Sequence, residues 1–253
     1  MEGLYSAHVE LGATLPLARI TLQPGQAIPL HVNDRPEGLY LVTGKVLVTR
    51  GAGAAEIEAP AAASFPAGVP HGVSAIGDSP AVLVLCSSRA ERAAEMTGSL
   101  YDPDRDLTAF GNPNEIRGAD PLFRWAVAEE FESWLPVEPT KGWCLRMKYL
   151  LDPHRGTPEF VLGVAEIMPN THYTIHRHEP AEFYYVLEGR GIIYVGDASY
   201  SVSEGDTVYV PENVPHGIDT AGEKLRVHWA YAVEGLGSNW VWRACEPIYT
   251  TPR

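Results

Sequence analysis

Cysteine is scarce in this chain and is not arranged in pairs. Cys86, Cys144 and Cys245 are the only cysteines among 253 residues, and none belongs to a CxxC pair. An odd number of scattered thiols argues against a disulfide framework. Buried thiols in a reducing compartment fit this pattern better, so we expect a cytoplasmic protein.

Positive charge is also in short supply. Nineteen Lys and Arg residues stand against 32 Asp and Glu residues, which gives a formal net charge of −13. Such a chain repels phosphate backbones and anionic membrane surfaces, so neither nucleic acid nor a membrane is expected as a partner. The N-terminal stretch MEGLYSAHVELGATLPL lacks a basic start and a long apolar run. We therefore predict no signal peptide and no transmembrane helix.

Helical patterns are rare as well. Only RAERAAEM (89–96) and FRWAVAEEFESW (123–134) are predicted as helices, and both lie between two β-rich halves. Elsewhere short apolar runs such as GLYLVTG and FYYVLEG alternate with Gly, Pro, Asn and Asp, which is typical of an all-β protein. The sequence therefore predicts an all-β fold with a short, partly helical connector.

The two halves of the chain repeat one another. A single shift of 145 positions, with no gap, brings residues of the same type into register. The matched pairs are His31 with His176, Glu37 with Glu182, Gly44 with Gly189, Pro66 with Pro211, Pro70 with Pro215 and His71 with His216. Gly and Pro recur in any β-protein, but chance would not also align histidines and a glutamate. We predict an N-terminal domain over 1–96, a connector over 97–140 and a C-terminal domain over 141–253.

The repeated motifs resemble those of the cupin family. HRHEPAEFYYVLEG and GDTVYVPENVPH carry the two family motifs at His176, His178, Glu182, Gly189, Gly205, Pro211 and His216. The first half, with GQAIPLHVNDRPEGLYLVTG and FPAGVPH, fits apart from one substitution. The resemblance implies a bicupin, which is two tandem antiparallel β-barrels of the jelly-roll kind.

The stretch HRHEPAEFY is interpreted as strand, turn and strand. A zinc-protease HExxH helix is excluded because its second His is missing and Pro180 would break the helix. Residues two apart on a strand point the same way, so His176 and His178 share a face. Glu182 begins the returning strand, and His216 arrives from a later one. Three imidazoles and one carboxylate inside a barrel predict one divalent transition metal (Fe, Mn, Zn, Ni or Co) with open positions for water or substrate. The alternative is a core of hydrogen-bonded histidines.

The first copy departs from the motif at one ligand position. Asn33 stands where the second His is expected, which leaves His31, Glu37 and His71. A neutral amide oxygen is a poor ligand for such metals. We therefore expect domain one to be mainly structural, with a weak second metal site as the alternative.

Tyr184 is a candidate catalytic base. It lies two residues beyond Glu182, so its ring is expected to face the same interior, whereas Leu39 stands at its position in the first copy. A nearby dication lowers the pKa of a phenol, which would let the phenolate remove a proton beside a bound carbonyl or carboxylate. Packing is an equally simple role, because aromatic residues favour strands.

Two groups of cupins resemble the second half more specifically. HRHEPAEFYYVLEG, with PHGIDT and LRVHWAY, is similar to the cupin-type dimethylsulfoniopropionate lyases, in which the Tyr two after the metal Glu is taken as the base. AEFYYVLEGRG and TVYVPENVPH resemble in part the cupin-type phosphoglucose isomerases, which place more residues between the second His and the Glu. Metal-assisted proton abstraction is what the two resemblances share.

Further residues are candidates for substrate binding. Arg146 and Lys148 in WCLRMKY alternate on one strand face and would suit a carboxylate or phosphate. The simpler interpretation, which we favour, is that they form the solvent face of an edge strand.

Three short stretches beside the motifs supply pocket candidates. One of His172 and Tyr173 should point inward. Trp229 and Tyr231 share a face in VHWAY and are candidates for the pocket wall, although core packing is the simpler role. His228 points the opposite way and is predicted to be exposed.

Three functions remain open from the sequence. The first is a metal-dependent lyase or isomerase that acts on a small polar or acidic metabolite. The second is a non-haem iron dioxygenase that uses the same ligands, and the third is a non-catalytic sensor or binding barrel. The expected partner is a small molecule, and a homodimer is an assembly that the sequence allows.

Overall fold

The computed structural model describes most of the two β-rich halves. The described residues are 6–10, 15–87, 99–100, 125–127, 145–151, 160–178, 180–232 and 246–247. All regular elements in these ranges are β-strands, which confirms the predicted all-β fold. The chain forms two compact units, Met1–Glu130 with Arg155–Thr157 and Phe131–His154 with Pro158–Arg253. Over the same ranges, no helix is long and apolar enough to cross a membrane.

The N-terminal unit consists of two antiparallel sheets. Its strands are β1 (Ser6–Glu10), β2 (Leu17–Leu22), β3 (Ala27–Val32), β4 (Glu37–Thr43), β5 (Lys45–Arg50), β6 (Gly53–Glu58), β7 (Ala61–Phe65), β8 (His71–Ile76), β9 (Ala81–Ser87), β10 (Ser99–Leu100) and β11 (Trp125–Val127). One sheet has the order β1-β2-β9-β4-β7-β11, and the other has the order β10-β3-β8-β5-β6.

The C-terminal unit also has two antiparallel sheets. Its strands are β12 (Leu145–Leu151), β13 (Phe160–Ile167), β14 (His172–Arg177), β15 (Glu182–Glu188), β16 (Arg190–Val195), β17 (Ala198–Ser203), β18 (Thr207–Val210), β19 (His216–Asp219), β20 (Leu225–Ala232) and β21 (Glu246–Pro247). The sheet orders are β12-β13-β20-β15-β18 and β17-β16-β19-β14-β21.

The two units share one topology. The run β2-β9-β4-β7 of the first corresponds to β13-β20-β15-β18 of the second, and β3-β8-β5-β6 corresponds to β14-β19-β16-β17. The strand register also agrees between the two units, since His31 pairs with His71 as His176 pairs with His216. Non-sequential neighbours in both sheets are the mark of the jelly roll. The predicted duplication and the bicupin architecture are confirmed.

Each unit has its own apolar core, but the two cores differ in composition. Aligned strand pairs show the difference directly: Leu39 lies opposite Leu85 in the first unit, and Tyr184 lies opposite Trp229 in the second. The first core is otherwise built from Ala, Val, Leu and Ile with Phe65, whereas the second contains buried Tyr184, Trp229 and Tyr231.

The connector differs from its predicted structure where it is described. Trp125–Val127, inside the segment predicted as a helix, is strand β11 and pairs antiparallel with β7. The edge strand β7 has unpaired backbone groups that can hydrogen-bond to a further strand. These interstrand hydrogen bonds stabilise the segment more than a helix of only three turns would. The other predicted helix, 89–96, and the rest of 123–134 lie outside the described residues. The exact domain boundaries stay a prediction.

Candidate metal centre

The C-terminal centre is built by two neighbouring strands and the start of a third. His176 lies on β14 and His178 directly follows that strand; both are buried, while Arg177 between them is exposed. His216 is the first residue of β19 and lies opposite His176. Each of the three imidazoles offers one ring nitrogen, and these atoms all lie within 4.8 Å of one another. Strand alternation and pairing therefore bring together the three predicted histidine ligands.

Backbone carbonyls set the tautomers of two of these rings. His178 Nδ1 donates to Pro180 O at 2.7 Å, and His216 Nδ1 donates to Val214 O at 2.8 Å. In the neutral ring the proton is then on Nδ1, and the lone pair of Nε2 faces the centre. Within the described part of the chain, His216 Nε2 is buried, and it receives no hydrogen bond from a donor group. A buried lone pair with no donor is what a metal ligand looks like before the cation binds.

Glu182 supplies the negative charge of the centre. Its Oε2 atom is 3.2 Å from His178 Nε2 and 3.1 Å from His216 Nε2. Burial raises the pKa of Glu182, but the hydrogen bond and charge of His178 and the proximity of His216 outweigh burial and lower the pKa to about 2. The carboxylate is therefore ionised throughout the neutral range.

Without a cation, this cluster brings hydrogen-bond acceptors together with no donor between them. A carboxylate oxygen and an Nε2 lone pair are both acceptors, so they attract only through an added proton or a metal ion. Three imidazole nitrogens and one carboxylate oxygen are ligands that Fe, Mn, Zn, Ni and Co accept. The residues present therefore fit a divalent transition metal.

A small cavity adjoins the centre inside the same unit. It is lined by Ala165, Ile167, Tyr173, Glu182, Tyr184, Ile218, Val227, Trp229 and Tyr231. Its volume is about 10 Å³, enough for about one water molecule. Among the described residues Glu182 is the only charged one in the wall, so the cavity joins a carboxylate of the centre to several aromatic side chains.

The aromatic wall residues also contact the imidazoles. Tyr231 lies 4.6 Å from His178 between ring centroids, and Tyr173 lies 4.9 Å from His176. Tyr184 is buried, and its ring centroid is 6.2 Å from that of His216. Tyr184 thus faces the interior, as its spacing from Glu182 predicts.

The remaining candidates divide between the interior and the surface. Of the pair that precedes the motif, Tyr173 lines the cavity, whereas His172 is exposed and bonds Asp219 through Nδ1. Trp229 lines the cavity and also packs in the core, with its rings 4.8 Å from Tyr231. Both interpretations of this residue, pocket wall and core, therefore apply.

Arg146 and Lys148 are described only in their backbone. They lie on β12, opposite Glu166 and Val164 of β13. Strand β12 is the first in its sheet order, which agrees with the interpretation of an edge strand. A role in substrate binding stays a prediction.

The predicted exposure of His228 is wrong. The side chain is 1% exposed, and its Nδ1 donates to Gly163 O at 2.8 Å. Burial lowers the pKa of His228 to about 3, although the bond to Gly163 opposes this shift. The alternation of side chains along the strand correctly predicted that the His228 ring points away from the cavity. The other face of this sheet is covered too, since every residue of β13 is buried.

Sequence reasoning missed several residues of the site. Ala165, Ile167, Ile218 and Val227 complete the cavity wall. Val227 alternates with Trp229 on β20 and could have been found by that spacing. The carbonyl groups that orient the rings leave no sequence signal beyond their position two residues from each His.

The N-terminal unit holds a related cluster. His31, Glu37 and His71 are buried, and their ligand atoms lie within 4.8 Å of one another. Glu37 Oε2 is 2.9 Å from His71 Nε2 and 3.9 Å from His31 Nε2. Burial raises the pKa of Glu37, but bonds and charge from the two histidines outweigh it, and the pKa is lowered overall.

Curated proteins match parts of the chain. Dimethylsulfoniopropionate lyase DddW from Ruegeria pomeroyi is 34% identical over 97 residues, which cover 38% of this chain and 63% of that protein. Uncharacterized protein MJ1618 from Methanocaldococcus jannaschii is 41% identical over 49 residues, 19% of this chain and 39% of that protein. HTH-type transcriptional activator RhaR from Shigella dysenteriae is 24% identical over 105 residues, 42% of this chain and 37% of that protein. The chain thus matches less than two thirds of each relative's length.

Solved structures match nearly the whole chain. Lactobacillus farciminis oxalate decarboxylase in a formate complex has a TM-score of 0.70 and 16% identity, covering 96% of this chain and 86% of that chain. Bacillus subtilis oxalate decarboxylase, studied for its Mn(II) centres, has a TM-score of 0.67 and 15% identity, covering 90% of this chain and 75% of that chain. At this identity the likeness shows the fold alone.

The family assignment rests on a profile that matches twice. The profile described as Cupin domain (Cupin_2) matches residues 18–87 and again 163–233, one match in each unit. Together the two matches span more than half of the 253 residues. The chain belongs to the cupin family and carries two cupin domains.

Proposed function

We propose that the C-terminal unit is the catalytic half of a metal-dependent lyase or isomerase. The observation that carries this proposal is the junction of a three-histidine, one-carboxylate centre with a cavity that Tyr184 lines. Glu182 belongs to both the centre and the cavity wall. A small molecule in the cavity would therefore touch the ligand set and the tyrosine together.

Each group has a distinct part in the chemistry. A divalent cation held by His176, His178, Glu182 and His216 would polarise a substrate carboxylate or carbonyl and would stabilise negative charge on it. Tyr184, on the same strand face as Glu182, removes the proton from the neighbouring carbon as general base. The electron pair of that C–H bond then forms a double bond as a leaving group departs, or reprotonation at another carbon completes an isomerisation. The aromatic walls exclude water from the reacting carbon.

The comparison with known proteins supports elimination in particular. The relative from Ruegeria pomeroyi is a dimethylsulfoniopropionate lyase, and it is 34% identical to this chain over 97 residues. Arg and Lys are missing from the described cavity wall, so a bound cation would be the group that pairs with a substrate carboxylate. We infer a substrate that is a small acid with a removable proton beside its carboxylate, and we take dimethylsulfoniopropionate as the first member to test.

The test separates metal binding from turnover. Wild type loaded in turn with Fe, Mn, Zn, Ni or Co is assayed under nitrogen with a panel of such acids. Tyr184→Phe should keep its metal content and lose about 10²- to 10⁴-fold in turnover, which is the usual contribution of a general base to the rate. Tyr194→Phe is the matched control, because Tyr194 bonds Asp219 outside the cavity wall, and it should keep full rate.

Three outcomes would overturn the proposal. An unchanged rate in Tyr184→Phe removes the tyrosine from the chemistry. Turnover that requires oxygen and consumes it would show the iron dioxygenase. Tight binding of one compound with no turnover of any would show a sensor or binding barrel.

A further inference from the structure

Strand β17 is an exposed edge of the C-terminal unit. It stands first in its sheet, so one side pairs with β16 and the other side pairs with no strand in the described part of the chain. Five of its six residues are exposed, and Tyr200, at 50%, is the most exposed large hydrophobic side chain among the described residues. The strand sequence ASYSVS contains no charged residue and no proline. Such residues usually protect a strand edge from pairing with another chain.

The equivalent edge of the N-terminal unit carries that protection. The shift of 145 positions places β6 on β17, and Glu56 and Glu58 then fall on Ser201 and Ser203. Both glutamates are exposed, and Glu56 forms an ion pair with Lys45 at 2.7 Å. Two copies that met at β6 would bring like charges together, whereas two copies that met at β17 would not. The same topology therefore repels a second copy at one edge and accepts it at the other.

The turn between β16 and β17 determines which backbone groups of the edge point outward. Val195 and Ala198 are paired and flank a two-residue turn, whose first residue, Gly196, has a φ of 60°. The flanking residues of such a hairpin form a hydrogen-bonded pair, and bonded pairs alternate with non-bonded pairs along the strands. The N–H and C=O groups of Ser199 and Ser201 therefore point away from β16, toward solvent.

One register suits a second copy better than its neighbour. Two-fold antiparallel pairing keeps each face of the sheet on its own side, so the axis passes through a residue position, and Tyr200 and Ser201 are the two central positions. With the axis at Tyr200, Ser199 of each copy pairs with Ser201 of the other, and each pair exchanges both of its backbone bonds. With the axis at Ser201, Ser199 would meet Ser203, whose N–H already donates to Asp206 Oδ2 at 2.8 Å. The register centred on Tyr200 is therefore favoured.

We propose that two copies of this chain associate by pairing β17 with β17 in this register, which joins two five-stranded sheets into one. Tyr200 then meets its counterpart in a non-hydrogen-bonded pair, where side chains approach closely. Arg190 lies opposite Ser203, and the register brings the turn residue Asp197 of the second copy beside this position. Both charged residues are exposed, so two pairs of opposite charges form across the axis. This proposal does not depend on the reaction of the C-terminal unit.

Sedimentation velocity of the full chain at rising protein concentration measures the association. A six-residue edge buries less than the roughly 1,200 Å² of a standard interface, so we expect a monomer–dimer equilibrium with a micromolar Kd. Ser201→Glu introduces the residue that the N-terminal edge carries at the same position, so the variant should fold while its Kd rises by about tenfold or more. Ser79→Glu is the matched control, because it adds the same charge at an exposed serine of the N-terminal unit, and it should leave the Kd unchanged.

A charge exchange tests the register. Arg190→Glu should weaken the dimer, and Arg190→Glu/Asp197→Lys should restore it toward the wild-type Kd. Within one chain these two residues lie at opposite ends of the hairpin, about 20 Å apart at the rise of a β-strand. Restoration must therefore come from contact between two copies.

Four results would overturn the proposal. The wild type stays monomeric at every concentration, or it forms assemblies that grow without reaching a dimer plateau. Ser201→Glu leaves the Kd of the dimer unchanged, or the charge exchange fails to restore what Arg190→Glu weakened. If Ser201→Glu does not fold, the charge exchange still decides the matter, because both of its positions are exposed in the monomer.

Discussion

Four of the histidines in the two clusters make the same local hydrogen bond. His31, His71, His178 and His216 each donate Nδ1–H to a carbonyl two residues away, at 2.7 to 2.8 Å. A bond over two residues costs little chain entropy, because those residues are already held by the strand or turn. This hydrogen bond therefore forms wherever the motif folds, and it turns the four Nε2 atoms toward Glu37 and Glu182.

His228 is the histidine with the strongest pH consequence away from the centre. Its pKa is lowered to about 3 by burial, whereas an unfolded histidine titrates near 6.5. Between these values the unfolded state holds a proton that the native state lacks, so stability falls as pH falls. Well above pH 6.5 neither state holds this proton, so the residue contributes no pH dependence there. At pH 5 we expect a loss of about 2 kcal/mol from this residue relative to pH 7.

His228→Gln should remove that loss, because glutamine can still donate to Gly163 O but cannot be charged. Urea unfolding at pH 7 and pH 5 measures the difference for wild type and variant. His172→Gln is the control, since this histidine is exposed and lies on a different sheet. An equal fall in stability in wild type and His228→Gln would show that another group carries the acid sensitivity.

At the scale of the element, the hairpin glycines position the strands that hold the ligands. Gly189 joins β15 to β16 with a φ of 85°, where L-residues are strained. A Cβ there would lie 2.0 Å from Lys224 O, a backbone atom that cannot move aside cheaply. Gly44, its counterpart, has a φ of 86° and would meet Pro80 O at 2.7 Å. Both the turn and the close strand approach therefore require glycine.

Gly189→Ala and Gly205→Ala separate these two requirements. Gly205 has a φ of 89°, but a Cβ there meets nothing within 4 Å. We expect Gly205→Ala to cost about 1 kcal/mol from the backbone alone and Gly189→Ala to cost clearly more, about 3 kcal/mol or above, from the added clash. Denaturant midpoints measure both. Equal costs would mean that the β15–β16 turn can shift to accept a methyl group.

Strand pairing also determines the structure of the described parts of the connector. Ser99–Leu100 and Trp125–Val127 were assigned to the connector by composition, yet both pair with strands of the N-terminal unit. They extend the sheets at β3 and β7, whose outer backbone groups would otherwise face solvent. The helical pattern at 123–134 has the right local spacing, but it carries no information about an edge strand some 60 residues earlier.

At the scale of the whole molecule, one topology supports two different interiors. The same strand order places a carboxylate between two imidazoles in both units. In the described part of the second unit a cavity adjoins the carboxylate and is lined by Tyr184 and Trp229, where the first unit has Leu39 and Leu85. A few inward-facing residues therefore change the interior of the unit without altering the fold.

Net charge makes a further prediction for the whole molecule. With 32 acidic and 19 basic residues, the chain has few cations to neutralise phosphates, so we expect no DNA complex at 50 mM salt and micromolar protein. A gel-shift assay with a random duplex checks this expectation. A complex that weakens steeply as salt rises would contradict it.

The sequence alone determined the duplication, the all-β class and the residues that could hold a metal. Those features depend on spacing: two residues for a shared strand face, 145 for the repeat, and fixed gaps between Gly, Pro and His. Spacing along the chain is preserved in any fold that the chain adopts. The inward direction of Tyr184 followed from the same rule, since it lies two residues from Glu182.

Tertiary structure alone decided which faces are covered and which partners meet. The alternation of side chains along the strand predicts that His228 points away from the cavity, but it does not show that the opposite face of the sheet is buried too. It left His172 and Tyr173 equivalent until pairing with β19 set their sides. The aliphatic N-terminal interior brings together Leu39 and Leu85, which are 46 residues apart and become neighbours only when β4 pairs with β9. Such contacts are set by the stacking and register of sheets, which local sequence does not encode.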